Sequence, residues 1–78
     1  MIITPKSKLL QVLDAYPMLE DLLISYVPVF KELKNPILRK TVARIATLQQ
    51  VASIGHVKVE DLINLLRKEI GQDLYSGN

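Results

Sequence analysis

The sequence predicts an all-α protein: a compact bundle of about five short helices forming a single domain. Three observations predict it. Apolar residues recur at helical spacing, most plainly Leu19, Leu22, Leu23 and Tyr26 at i, i+3, i+4 and i+7. No stretch sustains the alternation of apolar and polar residues that marks a half-buried strand. Prolines and capping residues cut the chain into segments of only a few turns. Its 78 residues leave no room for a second core, and 28 of them are Leu, Ile or Val against seven Gly and Pro together. Burying an aliphatic side chain is worth roughly 1.5–3 kcal/mol, against an ordering cost of about 1.5 kcal/mol per residue. A domain this small must therefore put most of its aliphatic residues inside.

The elements follow in order. Ser7 has the chemistry of an N-cap for a helix whose apolar face is Leu9, Leu10, Val12, Leu13 and Tyr16. Pro17 ends it and suits the first turn of a second helix, in which Met18 and Ile24 widen the stripe. The link Val27-Pro28-Val29-Phe30 leads into about one further turn, to Leu33. Asn35-Pro36 is a start signal, an N-cap followed by a proline whose missing N–H costs nothing in the first turn. In the helix from Pro36 to about Ala46, regular α geometry turns Leu38, Val42 and Ile45 inward and Lys40 and Arg44 outward. Thr47-Leu48-Gln49-Gln50 has the form of a capping box and opens a short helix that ends at Gly55. The last helix, about Val59 to Ile70, buries Val59, Leu62, Ile63, Leu66 and Ile70, presents Glu60, Asp61, Asn64 and Lys68 to water, and is capped by Gly71. Residues 1–71 make the domain, and 72–78 read as a flexible tail.

Composition excludes several kinds of chemistry. Without cysteine there is no disulfide, no thiolate metal site, no iron–sulfur cluster and no cysteine nucleophile. One histidine, His56, sits in the turn after Gly55 with no second imidazole to join it at a metal. There is no glycine-rich phosphate loop and no nucleophile beside a base, so no enzyme activity and no cofactor are expected. The longest apolar runs are a few residues, far short of a membrane span. The start Met1-Ile2-Ile3-Thr4-Pro5-Lys6 lacks the pattern of a signal peptide, so the expected location is cytoplasmic. The net charge of +2 is ordinary for a soluble domain.

Three features are candidates for function. The segment from Thr47 to Leu66 resembles a helix-turn-helix, with Ala52 at the crossing and Val57, Leu62 and Ile63 as anchors of the second helix. Its outward N-terminal residues are Glu60 and Asp61, which phosphate repels, so nucleic acid is disfavoured even though Asn64 has the chemistry to read adenine. The second feature is charge. Lys31, Lys34, Arg39, Lys40 and Arg44 stand against Glu32 alone between residues 31 and 44, while the rest of the chain is net acidic. The third is the proline-bent apolar link with Leu33, flanked by Tyr16 and Tyr26, which reads either as core or as a contact surface. Together the last two define the candidate interaction residues Val27, Pro28, Phe30, Leu33, Lys34, Arg39, Lys40 and Arg44.

Four phrases carry a family resemblance: Ile3-Thr4-Pro5, the run Leu13-Asp14-Ala15-Tyr16-Pro17-Met18-Leu19-Glu20-Asp21-Leu22-Leu23, Ala46-Thr47-Leu48-Gln49-Gln50-Val51-Ala52, and Glu60-Asp61-Leu62-Ile63. They resemble a bacterial all-helical family of unknown function related to hybrid-cluster-protein-associated redox disulfide domains and to the N-terminal domains of iron-centre repair proteins. In the redox branch a cysteine pair follows the second helix. Here that neighbourhood reads Val27-Pro28-Val29-Phe30, so the chain looks like the cysteine-free branch and no disulfide chemistry carries over. The resemblance implies an accessory or sensing role. The expected function is a non-enzymatic helical module that binds a protein partner, a second copy of the chain included, with no membrane contact. The alternatives are nucleic-acid binding through the helix pair and the holding of a small apolar ligand or haem between helices.

Overall fold

In a computed structural model the chain is helical, with four α-helices and one π-helical segment among the described residues, which are 1–28, 31, 35 and 39–75, Arg39 and Val42 by backbone only. The α-helices are α1 (Leu9–Ala15), α2 (Leu19–Tyr26), α3 (Leu48–Ile54) and α4 (Val59–Glu69), and the π-helical segment is Arg39–Ala43. Among the described residues the α-helices number four where the sequence predicts about five, because Arg39–Ala43, within the segment predicted as a regular α-helix, winds as a π-helix; the turn predicted around Phe30 to Leu33 lies outside the described residues. The radius of gyration is 11.3 Å, against about 11.5 Å for a compact domain of this length.

One core gathers an inward face from every helix. It holds Ile3, Leu9, Val12 and Leu13, then Leu19, Leu23 and Val27, then Ala43 and Ala46, then Leu48, Val51 and Ala52, and finally Leu62, Ile63 and Leu66. Leu10, Tyr16, Leu22, Val57, Val59 and Ile70 pack half-buried around it. Met18 departs from the expected stripe and is 61% exposed. It is the N-cap of α2, one residue outside the helix, because Pro17 sits in the turn before it and accepts from Glu20 N–H through its carbonyl.

The helix starts are fastened by different means. Ser7 does not cap α1; Lys8 holds that position, and the first helical amide, Leu9 N–H, donates to Ala46 O at 2.9 Å. Leu48 N–H returns a bond to Ser7 O at 2.9 Å, so Lys8 and Thr47 form an isolated antiparallel bridge that ties the starts of α1 and α3 together. A backbone carbonyl from another element thus satisfies an orphan donor that a side chain would otherwise have to meet. The Ser7 hydroxyl accepts from Thr4 N–H instead. At α3 the capping box forms as expected, with Gln50 N–H on Thr47 Oγ1 at 3.3 Å and Thr47 N–H on Gln50 Oε1 at 2.9 Å.

The last two helices end alike but use glycine differently. After α4, Gly71 takes the left-handed conformation (φ 77°), while Gln72 N–H reaches Arg67 O and Gly71 N–H reaches Lys68 O. After α3 the same pair of bonds runs from Val57 N–H to Ala52 O and from His56 N–H to Ser53 O. Here the left-handed residue is His56 (φ 57°), and Gly55 stands one place earlier with φ −82°. Gly55 is required for space. A methyl there would overlap Val27 Cγ1 and press on Val27 Cγ2 at 3.3 Å. His56 therefore carries a conformational cost, and His56→Gly is expected to raise stability by roughly 0.5–1 kcal/mol. Urea denaturation checks this, and a loss of stability would show that the histidine side chain repays its strain.

Residues Gln72 to Tyr75, read from sequence as part of a tail, return to the domain. Gln72 Oε1 accepts from Ile3 N–H at 3.0 Å and its amide donates to Met1 O at 2.6 Å. Asn64 pairs with the Tyr75 backbone in both directions, at 3.1 and 2.5 Å. Arg67, buried on the inner side of α4, donates from Nε to Ile3 O at 2.7 Å and from a terminal nitrogen to Asp73 O at 3.0 Å, with its guanidinium 5.4 Å from the centre of the Tyr75 ring. The two ends of the described chain are held side by side by these contacts.

Candidate functional site

The site begins with the π-helical segment. A π turn takes in about one residue more than an α turn, so the residues after it fall one position behind the regular wheel. The inward residue at its end is Ala46, where regular geometry called for Ile45, and Ile45 stands 69% exposed. Ile45 thus faces water on the flank of α3. On that flank α3 carries Gln50, Ser53 and Ile54, the last 53% exposed. Ile45, Ala46, Gln50, Ser53 and Ile54 line an open cleft of about 420 Å³.

The cleft has donors in its lining, and cations lie on the segment that leads into it. Arg44, next to Ile45, is exposed, as is Lys40 one turn earlier. The Lys8 ammonium lies on the Ile45 carbonyl at 3.0 Å. Because the Gln50 side-chain oxygen is taken by Thr47 N–H, its NH2 is the end left for an outside acceptor. Among the described residues, no carboxylate lines the cleft.

Of the residues singled out from sequence, Val27 is 2% exposed and belongs to the core, where it packs against Gly55, while the neighbouring Pro28 is exposed. Of the two readings of the link, core holds for Val27. Phe30, Leu33 and Lys34 lie outside the described residues; Arg39 opens the π-helical segment, and Lys40 and Arg44 present their charges to water. Sequence reasoning missed Ile45 and Ile54 as surface residues. For Ile54 a signal existed, since it lies about 110° from the centre of the Leu48, Val51 and Ala52 stripe on a helical wheel; for Ile45 there was none.

The other candidates change character. The α3 and α4 helices pack on each other and Ala52 is buried, while Glu60 and Asp61 are exposed at the start of α4. Asn64 is half-buried with both ends of its amide on Tyr75, so it is not free to read a base. A second hollow of about 400 Å³ is lined by Thr4, Pro5, Lys6, Gln49, Val59 and Tyr75. His56 is exposed, and no group of three or more His, Cys, Asp or Glu among the described residues could hold a metal. No helix of the described residues is long and apolar enough to cross a membrane.

These features define a small all-helical domain that carries on its surface an apolar cleft between Ile45 and Ile54. The family model described as "Domain of unknown function (DUF1858)" matches residues 3–63, most of the chain, and the protein belongs to that family. No curated protein and no solved structure matches it.

Proposed function

We propose that the chain is a cytoplasmic bacterial accessory module that works by holding a partner protein, without a catalytic step of its own. In this reading it is a cysteine-free relative of the redox disulfide and iron-centre repair domains named above, sharing their scaffold and not their thiol chemistry. The observation that carries it is Ile45, turned outward by the π-helical segment to stand beside exposed Ile54. A chain with so few aliphatic residues to spare gains nothing in stability by exposing two on one cleft, and the pair offers a partner apolar surface to bury. Lys40 and Arg44, exposed on the segment that leads into Ile45, supply positive charge near that surface in this reading.

Site-specific photo-crosslinking in cells tests the proposal. With a benzophenone amino acid in place of Ile54, a dominant adduct is expected that the same group in place of exposed Glu69 does not form. The adduct mass separates a foreign partner from a second copy. Equal labelling at the two positions would refute a docking role for the cleft.

A further inference from the structure

We infer that the cleft takes an acidic segment of another protein, one that seats a branched aliphatic side chain between Ile45 and Ile54 and sets carboxylates against Arg44 and Lys40. This rests on the docking role just proposed and adds the chemistry of the occupant. The cleft offers donors in the Gln50 NH2, the Ser53 hydroxyl and the Lys8 ammonium on the Ile45 carbonyl, and the exposed cations Lys40 and Arg44 belong to the segment that leads into Ile45. Among the described residues, none that lines the cleft is acidic. An occupant rich in acceptors and negative charge satisfies these donors and cations, and a basic one is repelled by them.

The same groups argue against other occupants. In a twofold dimer built on this cleft the patch faces itself, so Arg44 and Lys40 of one copy would oppose those of the other. Nucleic acid would find phosphate partners but, among the described residues, no aromatic side chain in the cleft for a base to stack on, and two isoleucines would be left wet. A lipid surface calls for a convex apolar face, whereas Ile45 and Ile54 flank a hollow with Gln50 and Ser53 in it.

The test uses a random 12-residue peptide library displayed on phage, selected against the immobilised chain, with the enriched peptides then synthesised and titrated. Enrichment of Asp and Glu around a Leu, Ile or Val is expected. Binding should weaken about tenfold or more with Ile54→Asp and several-fold with the Lys40→Glu/Arg44→Glu pair. Raising salt from about 50 to about 500 mM should also weaken it. All three altered residues are exposed, and circular dichroism confirms that each variant is folded. Peptides that need Ile54 but are neutral or basic would overturn the acidic assignment and leave the docking role standing. Peptides indifferent to Ile54→Asp, or no enrichment at all, would overturn both. Dimerisation of the free chain lost with Ile54→Asp, or binding to phosphatidylserine vesicles or duplex DNA that exceeds peptide binding, would replace the acidic segment with that occupant.

Discussion

Arg67→Met is expected to destabilise the fold by about 2–4 kcal/mol, a large part of the roughly 4–12 kcal/mol available to a domain of this length. Methionine keeps the apolar stem and removes the guanidinium, which donates to Ile3 O at 2.7 Å and Asp73 O at 3.0 Å. Ile3 is fully buried, so its carbonyl would be left without that donor in the interior. Relief from burying a cation offsets part of the loss, and for that reason the upper figure is not exceeded. Arg67→Lys should fall between, because an ammonium cannot reproduce the two-pronged geometry. Thermal and urea denaturation of the three proteins measure this, and a methionine variant within about 0.5 kcal/mol of wild type would show that the guanidinium holds nothing.

The second large effect concerns Gly55 and Val27. Gly55→Ala is expected to cost about 1–3 kcal/mol, since the new methyl must displace the buried Val27 side chain. Alanine's better helix propensity returns at most about 1 kcal/mol. Val27→Ala alone opens a cavity and should cost about 2 kcal/mol. Combined, the two should cost at least about 1 kcal/mol less than their sum, because the methyl added at one position enters the space vacated at the other. Strict additivity in urea denaturation would mean that the two side chains do not compete for that space.

The fate of these residues shows what local pattern can and cannot convey. Leu9, Val12 and Leu13, or Leu62, Ile63 and Leu66, are legible as inward faces because helical periodicity and burial are the same fact seen twice. The Thr47 capping box is equally legible, both of its partners lying within four residues. Ser7 misleads because the carbonyl that relieves α1 comes from Ala46, 37 residues away from the Leu9 amide it serves. Gly55 was recognised as a helix terminator, yet the cause of its presence is Val27, on another helix's end. For the site, the concentration of Lys and Arg before residue 45 could be counted directly. The outward turn of Ile45 could not, because the regular wheel assumes 3.6 residues per turn and the π-helical segment does not keep to it.

Gln72 has a kinetic consequence. Its side chain bridges Met1 and Ile3 across sequence separations of 71 and 69 residues, whereas the α3 capping box closes over three. Bonds that span nearly the whole chain bring the largest loop-closure entropy and are rewarded only after the intervening helices have docked. They belong on the native side of the folding barrier. Weakening this clasp, as in Gln72→Ala, should leave the refolding rate nearly unchanged and speed unfolding, so that the clasp sets how long the folded domain lasts more than how quickly it forms.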